Sequence, residues 1–246
     1  MLKVPEARDD QAAVVAAEAA ALRAWRRSGA AVALVDATPE ALLLVRSRPG
    51  THAPWQPALP VHELVGVAAG LLARLWSCEP GSYGFDRFAD RYQADERTAQ
   101  EDAAYERRTR GEPDRGAAGV DRLPAAGAAA ARMIQTVPST TLLHGDFITK
   151  NLVRDDAAPI GWVALDPLPM IGDPACDVAA FAAYQPAELI MPIAESLARM
   201  TGLSPARTLV WAAIWSVHQS AQGWRTDQEE LDQLVDSAAI DRLLRS

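Results

Sequence analysis

Apolar positions in this chain recur mostly at helical spacing, and the exceptions are short runs near the start and in the middle. Residues 10–28 predict an Ala-rich helix with Val14, Val15, Leu22 and Trp25 near one face, stopped by Ser28-Gly29. Two strand-like runs follow, Ala31–Val35 and Ala41–Arg46, around a turn from Asp36 to Glu40 that contains Pro39. Arg46-Ser47-Arg48-Pro49-Gly50 reads as a break. Helical patterns then lie at 61–77, where Leu64, Val67, Leu71 and Leu75 align, at 84–108 and at 121–136. Asp86–Arg110 is dense in both charge signs, which predicts a solvated helix face, and Arg110–Gly116 predicts a loop. A short apolar run, Thr141–Leu143, precedes a polar loop. Gly161–Leu165 then predicts a strand paired with Asn151–Arg154 across the turn Asp155–Pro159. Helices are expected near 174–184, 187–200, 206–222 and 228–244. The organisation is a small first part and a larger helical second part.

The polar loop carries the chemistry. His144-Gly145-Asp146 alone is a common turn tripeptide, with Gly supplying positive φ and Asp a cap. Here it is followed by Asn151 and then by Asp166 at the end of the predicted strand. An Asp and an Asn at that spacing on one loop suit phosphoryl transfer: the Asp accepts the proton of an attacking hydroxyl, and the Asn offers an amide oxygen to Mg²⁺. A second carboxylate must hold the metal against the nucleotide phosphates, and Asp166 is placed for it.

Composition narrows the picture. Of the 24 basic residues only Lys3 and Lys150 are lysines, and both fall at predicted site elements. A compact ammonium at Lys3 suits phosphate contact better than a planar guanidinium, whereas Lys150, just before Asn151, faces either the transferred phosphate or water, with water the favoured reading. The net charge of −8 and pI near 5.0 argue against nucleic-acid binding, which needs a basic face, and fit a small cationic substrate weakly. Cys78 and Cys176 are too few for a disulfide framework or metal cluster. No apolar run reaches membrane-spanning length and no signal segment opens the chain, so a reducing cytoplasm is the expected location.

The string Leu142-Leu143-His144-Gly145-Asp146, Asn151, Asp166-Pro167, Gly172-Asp173-Pro174 and Asp177 closely resembles the aminoglycoside phosphotransferase family, in its streptomycin 6-kinase and hydroxyurea phosphotransferase branch. The resemblance runs from Lys3 to about Trp224. It implies an α+β, two-lobed protein-kinase-like fold, with residues 1–49 as a small β-sheet lobe and 50–246 as a mainly helical lobe. It implies Asp146 as catalytic base, His144 as loop organiser, and Asn151 and Asp166 as Mg²⁺ ligands. Asp173 and Asp177 are taken as scaffold. Lys3 would contact the α and β phosphates of ATP, or of GTP as the other donor, with Glu18 as its partner. Leu44, Val45 and Arg46 would border the adenine.

In the helices after the loop, Trp211, Trp215, His218, Trp224, Asp227, Glu229 and Glu230 are the positions to consider for an aminocyclitol acceptor. Trp211, Trp215 and His218 also sit at core spacing. Two strands and a phosphate-covering loop are expected ahead of the strand lysine in this family, and only Met1 and Leu2 precede Lys3. The small sheet is therefore expected to be N-terminally incomplete, with a weakened phosphate clamp. The function implied is ATP-dependent O-phosphorylation of an aminoglycoside such as streptomycin. The alternatives are a kinase of choline, a sugar or an amino alcohol, and a catalytically silent kinase-like binding module. Oligomeric state is left open.

Overall fold

The computed structural model describes residues 1–4, 11–53, 59–92, 116–136 and 141–246. Packing divides the chain into two compact units. One comprises residues 1–86 and 139–177, the other residues 87–138 and 178–246. This division places the loop segment with the N-terminal residues, where the sequence pattern drew a boundary at 49/50.

In the first unit, β1 (Leu2–Lys3), β2 (Leu34–Ala37) and β3 (Leu42–Leu44) form an antiparallel sheet in the order β1-β3-β2. Alternation buries Leu42 and Leu44 and turns Leu43 outward. The hairpin sits later than its pattern predicted. Thr38 ties the turn by accepting the N–H groups of Glu40 and Ala41 on its hydroxyl, and this carries the second half of the strand past Asp36. Helix α1 (Gln11–Ala24) buries Val15, Ala19 and Leu22 on one face, and Glu18 lies on that face at 3% exposure. The helix closes through a 3₁₀ turn at Trp25–Arg27, where the Ser28 hydroxyl donates to the Trp25 carbonyl and accepts from Ala30 N–H. Helix α2 (Val61–Trp76) matches its predicted span and buries Val65, Ala68, Leu71, Leu72 and Leu75.

A second sheet has the order β4-β6-β7, from β4 (Pro49–His52), β6 (Leu152–Asp155) and β7 (Trp162–Ala164). The β6-β7 hairpin is the predicted one. Strand β4 was expected to be a break, because Pro and Gly disfavour strands. As an edge strand it tolerates Pro49, and its pairing with β6 is non-local. A two-stranded ladder joins β5 (Thr141–Leu143) to β8 (Met170–Gly172), and β8 had no alternating signal in its three residues.

Helix α4 (Ala175–Ala183) runs from the first unit into the second. The second unit is helical: α3 (Ala117–Gln135), α5 (Ile190–Thr201), α6 (Pro205–Gln222), α7 (Gln228–Asp236) and α8 (Ala238–Arg245). Helix α3 starts four residues before its predicted 121. Its Gly119 lies so close to α6 that a Cβ there would overlap the Ala221 amide, and such packing outweighs the poor helix propensity of glycine. The single helix predicted at 228–244 is two helices, because Ser237 is extended (φ −67°, ψ 149°) and its hydroxyl caps α8 by accepting Ile240 N–H. Of the helix predicted at 84–108, residues 88–92 are helical. Residues 84–87 are described and not helical, so the helix starts later than predicted, and residues 93–108 and the Arg110–Gly116 loop up to residue 115 lie outside the described residues. Among the described residues no helix is long and apolar enough to cross a membrane.

Candidate active site

Antiparallel pairing of β5 with β8 sets the loop after Leu143 beside the segment that follows β7. The Leu168 amide donates to the His144 carbonyl at 2.8 Å. Gly145, at φ +77°, approaches so closely that a Cβ there would overlap the Leu168 carbonyl oxygen. Only glycine meets both demands. This contact brings the loop of Asp146 against the segment that carries Asp166.

Asp146 and Asn151 are joined directly. The Asn151 amide nitrogen donates to Asp146 Oδ2 at 2.8 Å and to the Asp146 carbonyl at 2.9 Å. A 3₁₀ turn, Thr149–Asn151, makes this reach possible, with Asn151 N–H donating to the Ile148 carbonyl at 2.9 Å. Both amide hydrogens of the buried Asn151 are thereby used, and its amide oxygen is left as the atom available to a cation. Burial pushes the Asp146 carboxyl above the usual range, and the Asn151 hydrogen bond and the Lys150 charge oppose it. That direction suits a general base.

Asp166 follows the buried β7–Leu165 run. It is the non-glycine residue with positive φ (+52°) among the described residues, which exposes about half its side chain. Its Oδ1 lies 3.0 Å from Lys3 Nζ, and the same ammonium donates to both oxygens of Glu18 at 2.8 Å. One lysine therefore bridges the buried face of α1 and the post-β7 segment. Burial pulls the Lys3 ammonium down, and Glu18 with Asp166 more than offsets this, so the net shift is upward. Burial raises Glu18 against the pull of Lys3.

His144 is buried at 1% exposure, with its ring nearly parallel to Trp25 at 6.0 Å between centroids and edge-on to Phe147 at 5.5 Å. Neither ring nitrogen meets a partner in hydrogen-bond geometry. Burial drives the imidazole down to about 4, so it is a neutral spacer under the loop. Asp177 is buried as well. Its carboxylate accepts His144 N–H at 3.0 Å, Gly145 N–H at 2.9 Å and Trp76 Nε1–H at 3.1 Å. Burial raises it to about 6 against those three donors. Asp173 accepts Ala175 N–H at 3.0 Å and caps α4. His52 was not singled out by any sequence signal, yet its Nδ1 donates to the Lys150 carbonyl at 2.6 Å.

Around the predicted adenine strand, Leu44 uses both backbone groups. Its N–H donates to the Met1 carbonyl at 2.8 Å and its carbonyl accepts the Met1 ammonium at 2.6 Å. Val45 N–H donates to the Ala33 carbonyl at 2.8 Å. Val45, at 46%, and Arg46 are both exposed, so any contact at this edge falls to these two residues. Among the described residues no cluster of three or more His, Cys, Asp or Glu side chains is arranged to hold a metal ion. One amide oxygen with one carboxylate is instead the sparse oxygen set that suits Mg²⁺, which keeps waters and takes further oxygens from phosphates.

The predicted acceptor positions all belong to the second unit. Trp211 is fully buried and edge-on to Phe88 at 5.3 Å. His218 accepts or donates a 2.8 Å hydrogen bond with the Tyr92 hydroxyl, and burial pushes it down to about 4. Trp215 is half-buried and packs on His218 at 6.1 Å. Asp227 pairs with Arg225 at 2.7 Å and accepts Ala187 N–H at 2.9 Å, while Arg225 donates to the carbonyls of Ala183 and Gln185 at 2.6 Å each. Arg225 holds the Asp227 carboxyl below its usual range. Trp224, Glu229 and Glu230 are exposed.

No curated protein matches this chain. The aminoglycoside/hydroxyurea antibiotic resistance kinase family matches residues 1–228. Among solved structures the chain is similar to a choline/ethanolamine kinase family protein from Mesorhizobium loti, with a TM-score of 0.67 at 14% identity over 99% of this chain and 85% of that one. It is also similar to the choline kinase LicA from Streptococcus pneumoniae, with a TM-score of 0.55 at 14% identity and the same coverage. A third likeness is to APH(2″)-IIa in a ternary complex with streptomycin and ATP, with a TM-score of 0.53 at 13% identity over 97% and 85% of the two chains. At such identities the likeness establishes the fold, which is the expected kinase-like α+β architecture.

Proposed function

The chain belongs to the aminoglycoside/hydroxyurea antibiotic resistance kinase family of small-molecule phosphotransferases, and from that premise we propose that it moves the γ-phosphate of ATP to a hydroxyl of an aminoglycoside, streptomycin first among them. The observation that supports this reading most is a pair of side-chain groups, Asp146-Asn151 on the loop and Glu18-Lys3-Asp166, close enough that the Asp166 charge raises the Asp146 carboxyl. In this reading residues 1–49 supply Lys3 and Glu18 as the nucleotide lobe, with Val45 and Arg46 at the adenine edge, and residues 50–246 supply the loop and Asp166.

The acceptor hydroxyl gives its proton to Asp146, whose hydrogen bond from Asn151 fixes the carboxylate's orientation. As the proton leaves, the acceptor oxygen bonds to the γ-phosphorus. The bond from that phosphorus to the β–γ bridging oxygen breaks, and its electron pair departs with ADP. Lys3, held by Glu18, places its ammonium against the α and β phosphates. Asn151 Oδ1 and Asp166 are the oxygens that would hold Mg²⁺, which when bound neutralises phosphate charge. His144 and Asp177 touch no reactant and act by shaping the loop. Trp224 and Glu230 are the exposed candidates for a cationic acceptor, Trp215 and His218 are the less exposed ones, and Asp227 is committed to Arg225. The cytoplasm, which supplies ATP, is the compartment proposed.

Fold alone does not choose an acceptor. The test is Mg²⁺-dependent transfer of labelled γ-phosphate to streptomycin, other aminoglycosides, hydroxyurea, choline and simple sugars, with Asp146→Asn as control. Transfer to an aminoglycoside that vanishes in the variant is expected. Transfer to choline or a sugar alone would reassign the acceptor, and no transfer from folded protein would select the silent binding module.

A further inference from the structure

The local charge of the site is unbalanced for its proposed ligand. Lys3 is already shared between two carboxylates, Glu18 and Asp166, and Asp146 adds a third negative group whose carboxyl feels the Asp166 charge. A triphosphate arriving there meets one ammonium whose charge is largely spent. Lys150 is the remaining lysine of the chain. It lies within the turn Thr149–Asn151, next to Asn151 and four residues after Asp146, and its side chain is exposed. Among the described residues it forms no ion pair with any carboxylate.

Its backbone, by contrast, is fixed. The turn's hydrogen bonds run from Asn151 N–H to the Ile148 carbonyl at 2.9 Å and from Leu165 N–H to the Asn151 carbonyl at 2.8 Å. The Lys150 carbonyl is taken by His52 Nδ1 at 2.6 Å, from β4 on the edge of the second sheet. A carbonyl accepts only, so Nδ1 carries the hydrogen. The backbone is fixed and the charge already acts on Asp146, so beside the proposed base and a candidate metal ligand only the lysine side chain must order on a phosphate, at the entropic cost of that one side chain. The expected solvent-facing lysine is thus open to a second role.

Resting on the phosphotransferase reading, we infer that Lys150 is a further catalytic residue that places its ammonium on the transferred phosphoryl group, and that His52 is a positioning residue holding the Lys150 carbonyl. Lys150 stabilises negative charge on the equatorial γ-oxygens while the bond to the acceptor oxygen forms and the bond to the β–γ bridging oxygen breaks. It neither gives nor takes a proton in that step.

The test compares the Mg²⁺-dependent affinities of a non-hydrolysable ATP analogue and of ADP, by calorimetry, in the parent, Lys150→Met, Lys150→Arg, His52→Ala and His52→Asn, alongside kcat and KM. Lys150→Met is expected to weaken the ATP analogue about tenfold, the scale of one charge-assisted hydrogen bond, with ADP unchanged and kcat reduced. Lys150→Arg retains part of the preference. His52→Ala loses part of it, and His52→Asn, which keeps a donor at the same distance along the side chain, restores it. A parent-like ratio in Lys150→Met, or an equal loss for both nucleotides, overturns the role of Lys150 and leaves the kinase reading standing. Failure of the parent to bind either nucleotide overturns both.

Discussion

Asp177 accepts the backbone N–H of Gly145 at 2.9 Å, and with it that of His144 at 3.0 Å, so a helix residue grips the turn that leads into Asp146. Removing the carboxylate strands three donors, one buried and two part-buried, because Trp76 Nε1 loses its partner as well. Asp177→Ala should therefore cost about 3–5 kcal/mol in urea unfolding and lower kcat with a smaller effect on KM. Asp177→Asn keeps one accepting oxygen and should lose about half as much. Parent-like stability in Asp177→Ala would mean that the loop stands without this grip.

The same two buried groups predict opposing pH trends. His144 titrates near 4 in the folded chain and near 6.5 unfolded, so between those values the unfolded chain holds more protons, and stability falls as pH drops from about 6.5 to about 4. Asp177 is raised to about 6 from about 3.8, so there the folded chain holds the extra proton, and its contribution falls as pH rises from about 4 to about 6. Each is worth roughly 3 kcal/mol at full extent. His144→Phe should accordingly lose less stability on acidification than the parent, and Asp177→Asn should lose more. Urea midpoints at pH 4 and pH 6.5 distinguish the two, and identical slopes in all three proteins would refute the assignment.

Gly145 has no substitute. A Cβ would overlap the Leu168 carbonyl, and φ is +77°. Gly145→Ala is expected to destabilise by about 2–4 kcal/mol and to reduce kcat sharply, since relief requires the Asp146 loop to move off the segment bearing Asp166. A variant that folds at parent stability with parent kcat would show that the two segments need not touch.

The proposed reacting positions were legible in the amino-acid pattern because they lie close along the chain. Asp146, Asn151 and Asp166 are carried by one loop and one hairpin, whose local pairing registers as alternation and turn residues. Lys3 stood out by scarcity, in a chain that uses arginine for nearly every cation. What stayed hidden was non-local. Strand β4 pairs with β6 about a hundred residues away, behind a Pro-Gly pair that reads as a break. His52 offers no signal because its partner is a backbone carbonyl. Asp227 resembled a ligand residue from its aromatic and acidic neighbours, and its pairing with the arginine two positions earlier left no mark in the pattern.

Lys3 and Glu18 form a pair whose members should fail together. Lys3→Met and Glu18→Gln are each expected to raise the nucleotide KM roughly tenfold, and the double variant should cost little more than either single one, as for groups that act as a unit. Additive losses would mean that Glu18 contributes independently of the ammonium it contacts at 2.8 Å.

Asp227 and Trp224 lie three residues apart and should behave oppositely. Asp227 ties Arg225 to Ala187 N–H, and Arg225 in turn satisfies the carbonyls of Ala183 and Gln185 just past the end of α4. Losing the carboxylate removes that brace, so Asp227→Ala should lower stability by about 1–2 kcal/mol and leave acceptor KM unchanged. Trp224 is 68% exposed, so truncating it should move stability by less than about 0.5 kcal/mol. An indole face left in water contributes little to folding but offers a cationic acceptor a surface to stack on, so Trp224→Ala should raise acceptor KM several-fold, with the nucleotide KM as the internal control. Should Asp227→Ala raise acceptor KM at parent stability, the carboxylate would be a ligand after all and the brace incidental.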